Sequence, residues 1–148
     1  MTAESEKDIE GLLKIGRIVG LAIQAMREAL QPGMTTAALD VIGEKVLRQH
    51  GARSAPQLVY KFPGATCISI NDEAAHGIPG NRTVQPGDLV NIDVSAEMDG
   101  YFADSGGSIG VPPVSAENKR LLSATKSALQ NALDAVSAGR PINVIGRA

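Results

Sequence analysis

The sequence predicts an α+β fold in which two helices precede a region of antiparallel strands and one further helix follows it. Three observations support this order. Apolar residues recur at three- and four-residue spacing before residue 51, a spacing typical of amphipathic helices. Between residues 56 and 108 the apolar runs are short and broken by Gly, Pro and Asn, as in strands. Helical spacing returns after Pro112-Pro113.

The first helix is predicted from a cap, an apolar stripe and a stop signal. Ser5 with Asp8 three residues later is a weak capping box. Pro32-Gly33 cannot continue a helix and therefore ends it. The predicted stripe consists of Ile9, Leu12, Leu13, Val19, Ile23, Met26 and Leu30.

The second and third helices carry similar signals. Thr35 or Thr36 caps the second helix, which closes near His50-Gly51. Ser115 caps the third, which ends at residues 138–141. The apolar face of the second helix consists of Leu39, Ile42 and Val46. That of the third consists of Leu121, Leu122, Thr125, Leu129, Leu133 and Val136.

Four segments between the helices are predicted to be strands. They are residues 58–60, 66–70, 88–94 and 101–108. The run from residue 89 to residue 94 is apolar except at Asn91 and Asp93. A strand this apolar is expected to be buried, and a buried carboxylate needs a partner because an unpaired buried charge is very costly.

Two aspartates flank a tight turn between the last two strands. Asp99-Gly100 favours a two-residue hairpin loop, because both residues tolerate positive φ. This loop makes Met98 the partner of Tyr101. Since side chains alternate between the faces of a strand, Asp93 and Asp104 project from one face as diagonal neighbours, roughly 7–8 Å apart at the backbone. A four-residue loop would instead place them directly opposite each other, still on one face.

Two carboxylates at this separation require a shared proton or a cation. A pair of metal ions about 3.5–4 Å apart fits such a hairpin. From the pattern alone, a structural ion pair that compensates Asp93 is an equally good interpretation.

Two further residues are candidates for the same site. His76 lies in a backbone-rich loop, followed by Gly77 and closed by Pro79. An ordinary surface histidine is the simpler interpretation, and a neutral donor or ligand beside the carboxylates is the functional one. Cys67 lies in an apolar strand, where a buried, inert thiol and a residue lining an apolar pocket are both open.

Composition argues against several classes of function. The 148-residue chain has a net charge of −2 and no block of like charge, so nucleic acid or an anionic membrane is not an expected partner. The longest apolar stretch, residues 18–23, is too short to span a bilayer. The polar, acidic start is unlike a signal peptide. A single cysteine excludes an internal disulfide, which favours a reducing cytoplasm.

Several strings, in order along the chain, resemble the N-terminal half of a type I methionine aminopeptidase, a family with the pita-bread metallopeptidase fold. His76-Gly77-Ile78-Pro79 and the run at residues 87–94 are the most specific. The others are residues 15–20, 31–36, 62–71 and 99–105. The resemblance implies that residues 1–148 are a single partial catalytic domain without its C-terminal half, so the isolated chain is expected to be incomplete and inactive.

The resemblance also implies roles for six residues. Asp93 and Asp104 fall on the family's first two metal ligands, which hold two divalent ions (Co, Mn, Fe, Zn or Ni). His76 falls on a catalytic histidine that also binds the substrate. The residues that fall on the pocket for the methionine side chain are Tyr60, Phe62 and Cys67.

The implied activity is metal-dependent removal of the initiator methionine from nascent polypeptides, at the ribosome and in the cytoplasm, when the next residue is small. Two alternatives stay open. One is a non-catalytic binding or scaffold protein that uses the same fold. The other is a sister peptidase that cleaves before proline or acts on small amidines, which the string at residues 76–79 makes less favourable.

Overall fold

The computed structural model describes residues 3–148. They divide into two compact units, one ending at Pro113 and the other running from Val114 to Ala148. The first unit contains a four-stranded antiparallel sheet, two long helices that share its core and a short third helix. The predicted order of two helices, a strand region and a further helix is therefore confirmed, with one short helix added.

Helix α1 (Glu6–Ala29) begins with the predicted capping box at Ser5. The Asp8 amide donates to Ser5 Oγ (3.2 Å), and the Ser5 amide donates back to the Asp8 carboxylate (3.0 Å). The side chains that enter the core are Ile15, Ile18, Val19, Ala22 and Met26. Their three- and four-residue spacing is that of one helical face.

The predicted apolar stripe of α1 is wrong in its first turns. Ile9, Leu12 and Leu13 are 51%, 37% and 69% exposed. A residue turns about 100° from its predecessor in an α-helix, so Leu13 lies half a turn away from the buried Ala22, nine residues later. The predicted stripe therefore combined residues on the buried face of the helix with residues such as Leu13 on the opposite face.

Helix α2 (Thr36–Gln49) is capped by Thr35, whose Oγ1 accepts from the Ala38 amide (3.1 Å). Leu39 and Leu47 are buried. Gly43 lets α2 approach α1 closely, because a Cβ there would lie 2.6 Å from Met26 Sδ. The helix was predicted with nearly these bounds.

The sheet is arranged around one long strand. Its strands are β1 (Arg53–Ser54), β2 (Cys67–Ile70), β3 (Leu89–Met98) and β4 (Tyr101–Gly110). β4 pairs with the whole of β3 along one edge. β1 and β2 pair with different parts of β3 along its other edge. The predictions for residues 66–70, 88–94 and 101–108 are confirmed, with β3 longer than expected.

The predicted strand at residues 58–60 is wrong, because Ala55–Tyr60 forms a helix, α3. Ser54 is its cap, with the Gln57 amide donating to Ser54 Oγ (3.4 Å), and Pro56 lies in its first turn. Both are signals that start a helix. They outweigh the strand propensity of the three-residue run that follows.

The two faces of the sheet differ in chemistry. One face meets the helices and is apolar, with Ile68, Ile70, Val90, Ile92, Val94, Ala96 and Met98 buried. The alternate positions of β3 form the other face, where Asn91, Asp93 and Ser95 are partly exposed. Strand alternation therefore places every functional candidate of the sheet on the face that does not contact the core.

The second unit consists of helix α4 (Ala116–Ala135) and a 3-10 helix (Ile142–Arg147). Ser115 caps α4 as predicted, accepting from the Asn118 amide (3.0 Å). None of the α4 side chains is buried in the described structure. Leu121, Leu129 and Leu133 are 53%, 61% and 56% exposed. In residues 3–148, no helix has the length and apolar character needed to cross a membrane.

Candidate active site

The β3–β4 hairpin has the predicted register. Met98 pairs with Tyr101 across a two-residue loop of Asp99 and Gly100, whose φ angles are 55° and 86°. Asp93 lies opposite Gly106, and Asp104 lies opposite Ser95. The two carboxylates are therefore diagonal neighbours on one face. This confirms the geometry predicted from side-chain parity.

The environment of Asp93 disfavours its charged form. Burial, the charge of Asp104 and a hydrogen bond shared with Asp104 raise the pKa of Asp93 to about 6, while His76 acts in the opposite direction. Gly106 leaves room beside this carboxylate, because a Cβ there would lie 3.3 Å from Asp93 Oδ1. The pair holds a proton readily, and a cation would stabilise it in the same way.

His76 reaches the same site from a loop held against β2. The Gly77 amide donates to Ser69 Oγ (3.0 Å), and the Gly77 carbonyl accepts from the Ile68 amide (2.9 Å). A Cβ on Gly77 would overlap the Ile68 carbonyl oxygen. Only glycine permits this approach. His76 itself has φ 55°, so the loop holds it in a conformation that non-glycine residues seldom adopt.

All six predicted site residues line one cleft of about 530 Å³. They are Tyr60, Phe62, Cys67, His76, Asp93 and Asp104. The structure brings them together, and their roles in binding or catalysis stay predictions. The cleft also has lining residues that the sequence reasoning missed, namely Ala55, Pro56, Val59, Ser95 and Phe102.

The missed residues differ in how far the sequence could have indicated them. Phe102 and Ser95 share the face of Asp104 and Asp93, each two residues away along its strand, so parity would have found both. Val59 could not be found in this way, because its segment was predicted to be a strand and is a helix.

Cys67 is both buried and part of the cleft wall. The two interpretations left open by the sequence, a buried thiol and a residue that lines a pocket, therefore both hold. It is 7% exposed and lies opposite Asp93 in the sheet. Burial, followed by the charges of Asp93, Asp104 and Asp40, raises the pKa of the thiol to about 11. In the absence of a bound cation the thiol is therefore neutral at physiological pH and forms a small apolar surface.

A half-buried set of hydrogen bonds to Asp40 fixes the segment that leads into β2. The Asp40 carboxylate accepts from the amides of Ala65 (3.1 Å) and Thr66 (2.7 Å) and from Thr66 Oγ1 (2.7 Å). Gly64 packs on the His76 loop, since a Cβ there would lie 2.7 Å from the Pro79 ring. Both contacts hold Phe62 and Cys67 beside the histidine loop.

In the part of the chain that the structure describes, the acidic pair has too few neighbouring ligands to hold a metal ion by itself. Carboxylate oxygens suit divalent ions such as Mn²⁺. Residues 3–148 contain no group of three or more His, Cys, Asp or Glu side chains arranged to hold a metal ion. Asp93 and Asp104 therefore fit part of a ligand set, and further ligands are needed to close it.

Comparison with known proteins places this geometry in a family. Residues 10–148 match the family model described as metallopeptidase family M24. The chain belongs to this family. This M24 chain is 47% identical to methionine aminopeptidase 2 of Bacillus subtilis, over 100% of its own length and 60% of that protein.

Solved structures agree with this assignment. A methionine aminopeptidase from Rickettsia prowazekii has a TM-score of 0.92 at 31% identity and covers 99% of this M24 chain. One from Thermotoga maritima has a TM-score of 0.95 at 24% identity over 99% of the chain and shows the fold alone. The chain covers 59% of each solved chain. The predicted pita-bread fold and the resemblance to methionine aminopeptidases are confirmed.

Proposed function

We propose that this chain forms one side of a methionine aminopeptidase active site, as a partial catalytic domain over residues 1–148. The proposed reaction removes the N-terminal methionine of nascent polypeptides in the cytoplasm, at the ribosome, when the next residue is small. The observation that carries the proposal is the cleft, in which an acidic pair, a histidine and an apolar wall meet. The sequence similarity to the Bacillus subtilis enzyme supports it.

Asp93 and Asp104 are the proposed ligands for two divalent ions (Co, Mn, Fe, Zn or Ni). Their oxygens face one cleft, and their mutual repulsion decreases when a cation lies between them. If bound, such ions would lower the pKa of a coordinated water and polarise the scissile carbonyl. Gly106 serves this role by leaving the Asp93 carboxylate uncrowded.

His76 is the proposed catalytic histidine. The Gly77 contacts with Ile68 and Ser69 fix its backbone, while its side chain lines the cleft beside the carboxylates. From this position the imidazole can hydrogen-bond the substrate near the scissile amide.

The apolar wall is the proposed pocket for the methionine side chain. Tyr60 and Phe62 supply aromatic rings and Cys67 supplies a neutral thiol on the same cleft. A thioether makes favourable contacts with aromatic ring edges. The narrow, unbranched side chain of methionine fits such a wall without the polar partner that a hydroxyl or amide would need.

A second candidate is a non-catalytic binding protein with the same fold. It is favoured by one observation, the lack of a third metal ligand beside the acidic pair among residues 3–148. Calorimetric titration of the chain with Mn²⁺ shows whether the acidic pair alone binds metal ions weakly or tightly. Weak binding is expected of two carboxylates, and tight binding of two ions would contradict the incomplete site.

A hybrid enzyme tests the catalytic proposal directly. In it, this chain replaces the matching 60% of the Bacillus subtilis relative, so that the rest of that protein is present. We expect the hybrid to cleave a Met-Ala-Ser peptide only when Mn²⁺ or Co²⁺ is added. Asp93→Asn should lower kcat by more than the roughly 10- to 100-fold that loss of an outer-shell partner costs.

Asp99→Asn is the matched control, because it makes the same chemical change in the same hairpin. Asn tolerates the positive φ of the turn, so this variant should keep wild-type activity. Full activity of the Asp93→Asn hybrid would refute the proposal, and so would a soluble, folded wild-type hybrid that has no activity.

A further inference from the structure

Glu97 is the only charged residue among residues 3–148 that is buried, with 4% of its surface exposed. Its Oε2 accepts a hydrogen bond from Arg53 Nε (2.9 Å) and forms an ion pair with Arg53 Nη2 (2.7 Å). Its Oε1 accepts from the Gly100 amide (2.8 Å). The hydrogen bond from Gly100 and then the pairing with Arg53 hold the pKa of Glu97 below its usual range. The carboxylate is therefore charged and has partners at both oxygens.

The partners of Glu97 belong to two different segments, the turn between β3 and β4 and the short strand β1. Gly100 is in the turn that joins the Asp93 strand to the Asp104 strand. Arg53 pairs with Glu97 in the sheet and directly precedes Ser54, the cap of α3. Glu97 thus connects the acidic hairpin to the start of α3.

Helix α3 forms much of the apolar side of the cleft. It contributes Ala55, Pro56, Val59 and Tyr60 to the lining. A helix of six residues is too short to be stable by itself, so its position depends on its attachments. Two of these attachments are the hydrogen bond from Ser54 Oγ to the Ala65 carbonyl (2.7 Å) and the two-residue strand β1, which carries Arg53.

The ion pair adds little stability, because only one of its partners is removed from water. The Arg53 side chain is 66% exposed and that of Glu97 only 5%, and an ion pair with an exposed partner contributes little to stability. Directional hydrogen bonds, in contrast, fix the position of one segment relative to another, whereas apolar packing alone allows the segments to shift. The contacts of Glu97 are therefore better suited to position than to stability.

We propose that Glu97 is a positioning residue, which, through Arg53, fixes the apolar wall on α3 relative to the hairpin that carries Asp93 and Asp104. The inference rests on the proposed function only where it treats this wall as the methionine pocket. The mechanical part, that Glu97 fixes α3 relative to the hairpin, concerns this chain alone and can be tested without an activity assay.

Amide hydrogen exchange in the 148-residue chain tests the mechanical part. Glu97→Gln keeps the shape of the side chain and removes its charge. We expect exchange at the amides of α3 and of Phe62, which donates to the Pro56 carbonyl (3.2 Å), to accelerate at least about tenfold. Amides in the middle of β3 and β4 should keep their exchange rates. Glu10→Gln, at an exposed site on α1, is the control and should change neither set.

Two further variants separate position from stability. Arg53→Lys keeps the charge and loses the planar fork, so α3 exchange should lie between the wild-type and Glu97→Gln rates. The double variant Arg53→Met/Glu97→Leu should keep the unfolding midpoint, because an ion pair with an exposed partner contributes little to stability, and it should still show fast α3 exchange. Wild-type exchange in this folded double variant would overturn the proposal, because apolar packing would then suffice.

Kinetics in the hybrid enzyme test the functional part. Glu97→Gln should raise KM for Met-Ala-Ser about tenfold while kcat stays within about threefold and Mn²⁺ affinity is unchanged. A merely destabilising change would lower the active fraction and leave KM as it was. If the wild-type hybrid is inactive, the proposed function fails while the exchange experiment still decides the role of Glu97. If the hybrid is active and neither KM nor exchange moves, the positioning role is wrong.

Discussion

Four non-glycine residues among residues 3–148 have positive φ, namely Lys61, Asn71, His76 and Asp99. Such conformations cost roughly 1–2 kcal/mol each for most side chains. His76 lines the cleft, Lys61 precedes the cleft residue Phe62, and Asp99 forms the turn of the acidic hairpin. Unfavourable backbone geometry is thus concentrated around the candidate site, as is common where a fold holds side chains for function.

The loop that carries His76 should tolerate a methyl group at one glycine and reject it at another. Gly77→Ala would overlap the Ile68 carbonyl oxygen, so we expect a loss of about 2–3 kcal/mol in the free energy of unfolding, or displacement of the loop. Gly80→Ala is the control, because its Cβ would lie 3.9 Å from the nearest atom, the Ile78 carbonyl oxygen. Urea unfolding measures both, and equal stabilities would contradict the close approach.

The raised pKa of Asp93, about 6, makes the stability of the metal-free chain depend on pH. The folded chain binds an extra proton between about pH 4 and pH 6, so stability falls as pH rises through this window. In the presence of a chelator, Asp93→Asn should match the wild type at pH 4. At pH 7.5 it should be more stable by about 1–2 kcal/mol, once solvent screening in the open cleft is allowed for.

Urea unfolding at the two pH values measures this difference. The control Asp99→Asn, in the exposed turn of the same hairpin, keeps Asp93 and should therefore keep the fall in stability between the two pH values. A pH-independent difference between Asp93→Asn and the wild type would show that the aspartate is not destabilised by its charge.

Helix α1 contains glycines that should respond in opposite directions to alanine. A Cβ on Gly11 would overlap the Tyr101 ring, whereas a Cβ on Gly16 would have no other atom within 4 Å. Tyr101 also donates from its hydroxyl to Asp8 Oδ1 (2.9 Å). Gly11→Ala should therefore cost about 1–3 kcal/mol through overpacking. Gly16→Ala should gain about 0.5–1 kcal/mol from helix propensity.

Thermal and urea unfolding of the two single variants test this contrast. The helix and its cap are the same in both, so only the neighbour of the new methyl group differs. A gain in stability at both positions would mean that Tyr101 does not pack on Gly11.

The elements that the sequence predicted well are those whose signals are local. The Asp99-Gly100 turn fixed the register of β3 and β4, and the caps Ser5 and Ser115 were located directly. Two of the failures depended on tertiary contacts. The exposed face of α1 could not be distinguished from its buried face by hydrophobicity alone. The two-residue strand β1 exists because it pairs with β3. For α3 the local start signals were present, but the strand propensity of residues 58–60 was given more weight than the Ser54 cap and Pro56.

The candidate site was predictable to a similar degree. The acidic pair followed from parity, and the histidine and the aromatic residues followed from family resemblance. Glu97 and Asp40 were not predicted to matter, since their importance lies in partners 44 and 25 residues away along the chain. Nothing in their own neighbourhood indicates those contacts.

At the scale of the whole molecule, the buried core is confined to one part of the chain. Every residue of the main apolar cluster lies between Ile15 and Val111, and α4 contributes no buried side chain in the described structure. A chain that ends at Pro113 should therefore retain a cooperative unfolding transition, with a free energy of unfolding within about 1 kcal/mol of the full chain.

Circular dichroism during urea unfolding measures this expectation. The signal of the shorter chain should lose helical intensity in proportion to α4 and keep its midpoint. A non-cooperative transition in the shorter chain would show that residues 114–148 are required for the fold of the rest.

The alternation of β3 has a consequence for changes in length. Side chains at its odd positions face the cleft side of the sheet, and those at its even positions face the core. One residue added or deleted within the strand would therefore move the side chains beyond that point to the opposite face. The Asp93 side chain would then point into the hydrophobic core, and those of its apolar neighbours would point into solvent. Viable insertions in this hairpin should occur only in pairs of residues, and a library of random insertions would recover an even count at this place.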